Sequence, residues 1–346
     1  MLPSFTLSVS APEVLMTAAQ RLAIAPTGPD GSVTCFPKPG GSYLWLGAWN
    51  ASNVGGTLCL TSPDLVTAPT PAFVDATGKP APSLRRGALQ PSPDGSDFDR
   101  DYAGGGSILP VKMPDHSTVW LHSYHGEKHW EQGPAGLYAG IGLAVSRDRG
   151  KSFTKLGQVI RTQAADDGIN PVTTSCGSLV QLGEQVRLYY PDTDTAGNTP
   201  QLACAAIALT DLAAAVASGT TGAWQKWQDG TFSQPSLGGR FTPLFLSLHA
   251  HWPRWPVISW NDYVDSWLLV YPAGTVGIEL RQSADGLAWS EPLTVLSAAD
   301  INYTGIIAPN RHTGQTFAVG YTAGLTGQMG QWQQATWQRV RVTLAR

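Results

Sequence analysis

Five times along the chain a strand-length apolar run closes on an aromatic residue: YLWLGAW at Trp49, VWLHSY at Tyr124, VRLYY at Tyr190, WLLVY at Tyr271 and FAVGY at Tyr321. Each follows another β-prone segment across a turn (GSVTCF, GGGSILPV, SCGSLVQL, WPVISW, YTGIIAP), and each precedes a third (GTLCLTS, GIGLAVS, LACAAIAL, GIELRQS, WQRVRVTL). Short runs rich in Val, Ile, Thr and aromatics, bounded by Gly, Pro, Asn and Asp, read as strands. The unit is an antiparallel meander of at least three strands, returning at irregular intervals of 50 to 81 residues. Helix is predicted best over Thr210–Ser218, TDLAAAVAS, a stretch of about two turns.

Two units carry a further mark after the third strand. SRDRGKSF (Ser146–Phe153) and SADGLAW (Ser283–Trp289) resemble the Asp-box turn of propeller blades in sialidases and many glycosidases. In such a turn the Asp accepts backbone N–H bonds and the Gly adopts a conformation other residues avoid. Repeats and turns together predict an all-β chain, a five-bladed β-propeller in which each blade is a four-stranded antiparallel meander. It is expected to be one domain over residues 1–346, with blades near 30–80, 100–165, 168–235, 245–298 and 302–346. An N-terminal strand, from TLSVSAP (6–12) or QRLAIAP (20–26), is expected to close the ring.

Composition narrows the function classes. With 42% apolar and 14% charged residues the chain can bury a large core, and a net charge of -3 gives no footprint for nucleic acid or an anionic membrane. No run approaches the roughly 20 apolar residues of a membrane span, and Met1–Ala25 lacks the pattern of a signal peptide. A soluble protein is expected, a monomer or small homo-oligomer; export would require a leader already removed. Cys35, Cys59, Cys176 and Cys204 match no zinc spacing and read as buried thiols. No nucleophile elbow, dinucleotide loop or redox cysteine pair is visible.

If the first strand of each blade descends from one face, the second returns to it, and their polar ends meet around a central funnel. That rim gathers WNASN (49–53), DRDYAGGG (99–106), YHGEKHW (124–130), DDGIN (166–170), PDTDT (191–195), HAHWPRW (249–255) and INYTG (301–305). Period-two alternation puts His125, Glu127 and His129 on one side of a strand. Carboxyls facing each other across a pocket beside aromatic platforms are what glycosidic bond cleavage needs: one protonates the leaving oxygen, the other activates water or attacks carbon. Trp49, Tyr102, Tyr124, Trp130, Trp252, Trp255 and Tyr303 are the candidate platforms. His125, His129, Asn170, His249, His251 and Arg254 are the candidate hydrogen-bonders to a sugar. Asp192 and Asp194 read as an exposed loop, Asp101 reads equally well as a turn cap, and Glu127 could instead pair with Lys128 or Arg254.

The five-bladed plan, the paired turns and the acid-lined funnel resemble the glycosidase clan that includes families 32, 43, 62, 68, 117 and 130. The resemblance implies an oligo- or polysaccharide hydrolase requiring no cofactor, with Asp101 as base or nucleophile, Glu127 as acid and Asp167 as third carboxylate. It departs from the clan in having its Glu at the end of a second strand and no evident acid in blade one. Two alternatives stand beside it. His125, His129, His249 and His251 could converge on a divalent cation and serve a polysaccharide lyase. A non-catalytic carbohydrate-binding propeller is the other, although its blades should then look alike at the rim.

Overall fold

The computed structural model describes residues 4–51, 54–72, 91–92, 98–130, 136–150, 152–164, 166, 168, 174, 176–194, 199–247, 253–273, 276–309, 312–325 and 332–346. They form five antiparallel blades. Blade one is Thr34–Pro37, Tyr43–Ala51, Val54–Ser62 and Thr70–Pro71; blade two is Tyr102–Lys112, Thr118–His129, Leu137–Ser146 and Thr154–Ile160. Blade three runs Ser178–Leu182, Gln185–Asp192, Gln201–Ala208 and Gln225–Gln228, with Thr231–Pro235 added outside. Blade four is Val257–Asn261, Ser266–Ala273, Gly277–Ser283 and Leu293–Ser297.

Blade five has three strands from the C-terminal region, Ile301–Ile307, Thr316–Ala323 and Thr336–Ala345, and takes its outer strand from the N-terminus. Thr6–Val9 pairs with the last strand in the register Thr6↔Ala345 to Val9↔Val342, so TLSVSAP closes the ring. QRLAIAP, the other candidate, is mostly helix, Ala18–Ile24. Its start is fixed by a reciprocal cap: the Gln20 N–H donates to Thr17 Oγ1 (3.3 Å) and the Thr17 N–H to Gln20 Oε1 (2.9 Å). The second helix, Leu209–Ser218, ends on Gly219 in the left-handed conformation, φ +74°.

The blades stick face to face through apolar layers. Leu121, Leu143, Leu188 and Tyr190 lie in one layer, Leu202, Leu269 and Tyr271 in the next, and Val270, Val319 and Val340 in a third. Each large side chain so buried contributes about 1.5–3 kcal/mol relative to leaving it exposed. The four cysteines are buried thiols, and Cys35 and Cys59 donate to the carbonyls of Ala308 (3.2 Å) and Gly150 (3.3 Å). Among the described residues no helix is long and apolar enough to cross a membrane.

Register decides which residues share a face. In blade two Tyr102 pairs with Glu127 and Lys112 with Thr118, so the head of the first strand and the tail of the second lie at one end; Trp120 pairs with Ser146, which puts the tail of the third strand at the other. The Ser-x-Asp turns occupy that second end. Asp148 accepts from Ser146 Oγ (2.8 Å) and the Ser152 N–H (2.9 Å), and Asp285 from the N–H groups of Leu287 (2.8 Å) and Ala288 (2.9 Å). A third such turn, absent from the sequence reading, follows the third strand of blade one, where Asp64 accepts from Val66 (2.8 Å) and Thr67 (2.6 Å).

One expectation is overturned within the blades. Asp192 is not in an exposed loop: its carboxylate is fully buried and takes a 2.6 Å bond from the equally buried Lys226.

Candidate functional site

The second strand of blade two delivers the centre of the site. Alternation aims His125, Glu127 and His129 the same way, and Glu127 receives both rings: His125 Nε2 lies 2.8 Å from Oε1 and His129 Nε2 2.6 Å from Oε2. His125 is buried, while the side chain of His129 is half exposed at the mouth. Burial pushes the Glu127 carboxyl up, but the bonds and charges of the two imidazoles outweigh it and hold the group down at about 2. Glu127 is therefore ionised, and in turn raises the affinity of His129 for a proton.

Near it, with Tyr102 touching one residue and pairing with the other, is a residue absent from the candidate set. Asp30 stands in the turn before the inner strand of blade one, its N–H donating to the Ala48 carbonyl (2.9 Å) and its own carbonyl accepting from the Tyr102 hydroxyl (3.2 Å). Burial pushes its carboxyl above the usual range; the hydroxyls of Tyr303 and Tyr102 and the neighbouring His125 oppose this, and the negative charge of Glu127 adds to it. Asp30 and Glu127 thus sense each other across one space, with opposite preferences for the proton.

The Asp30 turn is held from behind. Arg21, fully buried, donates to the carbonyls of Gly28 (3.1 Å) and Ala335 (3.0 Å) and also to that of Trp332. Trp332 stacks on Tyr303 at 5.8 Å and 16° between planes, and Trp255 lies against the same ring at 4.4 Å. Tyr303 and Trp255 both have left-handed backbones, φ +54° and +39°, an unfavourable state for aromatics that surrounding structure must impose. Partly buried Arg254 lies beside Tyr303, its guanidinium pushed below its ordinary value by burial.

GGG at 104–106 lets the inner strand bulge onto the axis rather than forming a phosphate loop. Gly105 and Gly106 have φ of +69° and +75°, and a Cβ at Gly106 would sit 1.7 Å from the Ser123 carbonyl. At Gly105 it would approach Cys176 Sγ to 2.7 Å, so the inner strands meet there in close contact.

Of the remaining predicted residues, Tyr102 and Tyr303 line the Asp30 pocket. Trp130 stands outside it, its Nε1–H donating to Asp166 Oδ1 (3.0 Å), while Lys128 pairs with Asp166 Oδ2 (2.7 Å) rather than with Glu127. Asp101 Oδ2 accepts from Arg100 Nε (2.9 Å) and from the N–H of His129 (2.7 Å) on the neighbouring strand. Two expectations about sugar contact are corrected. Trp49 is 1% exposed, its ring sealed against Gly28, and Tyr124 is 0% exposed with its hydroxyl on Asp99 Oδ2 (2.9 Å); neither reaches a ligand. Asp99 is buried too, beneath Ser92 and Lys155. Asp167, Asn170, His249, His251 and Trp252 lie outside the described residues.

Cation binding can be weighed for the described part alone. There His125 and His129 spend their Nε2 atoms on Glu127, and no group of three or more His, Cys, Asp or Glu side chains among the described residues is arranged to hold a metal ion. Chemically, the site offers one carboxyl whose hold on its proton is strengthened by burial, one carboxylate held ionised, and aromatic faces beside them.

No protein-family model matches the chain, and no curated protein matches it. Its fold, however, is similar to solved structures over nearly its whole length. The catalytic domain of a GH62 α-L-arabinofuranosidase from Coprinopsis cinerea matches with TM-score 0.56 and 11% identity, covering 99% of this chain and 98% of that one. Zg3597, a family 117 glycoside hydrolase from Zobellia galactanivorans, matches with TM-score 0.58 and 11% identity over 98% and 90%. The Bombyx mori GH32 β-fructofuranosidase BmSUC1 gives 0.52 and 10%, covering 94% of this chain and 61% of that one. All three are five-bladed β-propellers, the architecture of this chain.

Proposed function

We propose that the chain is a glycoside hydrolase whose reaction takes place between Asp30 and Glu127. The observation that carries this reading is the divergence of the two carboxyls: burial keeps Asp30 inclined to hold its proton, and two imidazoles hold Glu127 ionised at about 2. Two titratable groups driven apart in one cleft form the acid and anion pair that glycosidic cleavage uses. The likeness to glycosidases of families 62, 117 and 32, and a rim that differs from blade to blade, support an enzyme over a repeated lectin.

Asp30 is the proton donor. As the bond to the leaving oxygen breaks, its carboxyl proton moves to that oxygen, and the Asp30 carboxylate left behind accepts a hydrogen bond from Tyr303. Glu127 faces the sugar ring, where its fixed negative charge stabilises the positive charge developing at the anomeric carbon. So low a basicity suits this better than drawing a proton from water; the water that forms the new bond to the anomeric carbon gives its proton to the Asp30 carboxylate, which restores the acid. Partly exposed Trp255 and Tyr303 give the sugar its stacking surface. These roles exchange those implied by resemblance, in which Glu127 is the acid and Asp101 the base.

Leaving-group dependence separates the roles. Asp30→Asn should lose roughly 10²- to 10⁴-fold in kcat on alkyl glycosides and polysaccharides but far less on nitrophenyl glycosides, whose leaving group needs no proton. Glu127→Gln should lose comparably on both. Equal losses in Asp30→Asn on the two substrate classes would return the acid role to Glu127, and an unaltered Asp30→Asn variant would remove the site altogether.

A further inference from the structure

Outward from Glu127 a second cavity opens between blades two and three, with a volume of about 590 Å³. Its floor is a row across blade two: Lys128, next to Glu127 in sequence, pairs with Tyr138 on the third strand, and Arg161 follows directly after the fourth. Strands lie about 4.8 Å apart, so this row steps away from the reacting pair by roughly one strand spacing at a time. Gln158, Gln163 and Asp166 complete the polar lining.

Among the described residues the charges in this groove do not balance. Asp166 is spent on Lys128 and on the Trp130 indole, both through bonds of 3.0 Å or less. Arg161 is exposed, and its guanidinium has no carboxylate partner among the described residues. Its main chain, in contrast, is fixed at three points. The N–H donates to the Ser236 carbonyl (3.1 Å), and the carbonyl accepts from the Gly238 N–H (3.0 Å) and from Lys226 Nζ (3.0 Å), which is itself locked to Asp192. A cation held on a rigid base, without a carboxylate partner among the described residues, beside a pocket with amide side chains is arranged for an anionic ligand rather than for solvent alone.

We propose that this groove is a subsite for an acidic sugar residue, one bearing a carboxylate or a sulfate, bound by Arg161 with Lys128 in support. The inference rests on the hydrolase reading only for what lies next door, since binding in the groove requires no turnover. It makes the substrate class an anionic polysaccharide.

Calorimetric titration of the full chain carrying Asp30→Asn, which slows turnover, tests it with three probes of equal length: an oligogalacturonate, a sulfated galactan oligosaccharide and a neutral cello-oligosaccharide. At least one acidic probe should bind about tenfold or more tightly than the neutral one, as expected for a charge-assisted pair. Adding Arg161→Gln should remove that preference while leaving neutral binding unchanged, and should leave the melting temperature unchanged because no side-chain partner is lost. Arg161→Lys keeps the charge without the fork and should retain only part of it. Whichever acidic probe loses more to Arg161→Gln identifies the group recognised. Equal binding of acidic and neutral probes, or a preference that survives Arg161→Gln, overturns the proposal. Acidic preference without hydrolysis of any glycoside would leave the subsite standing and remove the hydrolase; hydrolysis without acidic preference would do the reverse.

Discussion

Aspartates stand at both faces of this propeller, and the two faces use them differently. At the face of the Ser-x-Asp turns, Asp64 and Asp285 each accept two backbone N–H bonds. Those bonds hold Asp64 below the usual carboxylate range, and at Asp285 they outweigh the upward push of partial burial. At the funnel face Asp30 meets phenols and a neighbouring carboxylate in place of peptide donors, and burial dominates. One residue type, each time in a turn, becomes a structural tie or a proton donor according to what its oxygens touch. Asp192 is a third case, buried as an ion pair with Lys226.

Breaking the pair at Asp192 should have the largest effect on stability. Lys226→Met leaves a carboxylate without its counter-charge in the interior and should cost about 3–5 kcal/mol, read from the urea midpoint. It should also loosen Arg161, whose carbonyl loses a donor.

A smaller effect sharpens the comparison between the faces. Asp285→Ala should cost on the order of 1 kcal/mol, discounted for exposure, with kcat unchanged. The sign with pH follows from its depressed value: the contribution is present above the unfolded-state pKa and fades as pH falls through the lower folded value, so the variant should differ most from the parent near neutrality and least in strong acid. Asp30→Asn should behave in the opposite sense. A raised folded pKa means the ionisable carboxyl destabilises increasingly as pH climbs from the unfolded towards the folded value, so removing it should leave the melting temperature unchanged near pH 3 and equal or higher at pH 7. A fall in melting temperature at pH 7 would place Asp30 among the structural aspartates.

The fold was legible because its signal repeats. Trp49, Tyr124, Tyr190, Tyr271 and Tyr321, the aromatics that close the five second strands, are all 2% exposed or less, which makes them the inter-blade core. The same regularity misled the reading of the site: Trp49 and Tyr124 were placed on the rim as platforms because the strand ends there, whereas both lie packed between sheets. Half the site was legible too, since spacing of two residues suffices to put His125, Glu127 and His129 together. Asp30 was not. PDG reads as an ordinary turn, and its chemistry arises only when the ring closes and brings Tyr102 from blade two and Tyr303 from blade five against it. Asp101, equally well placed in sequence, bonds through Oδ2 to the neighbouring strand end and to Arg100.

The most direct test is to titrate the two carboxyls themselves, by carboxyl ¹³C NMR of the full chain with Asp30→Asn and Glu127→Gln as assignments. The expected result is one carboxyl titrating near 2, missing in Glu127→Gln, and another titrating above the usual carboxylate range, missing in Asp30→Asn. Two carboxyls titrating together near 4, as ordinary surface acids do, would contradict a divided pair and the chemistry built on it.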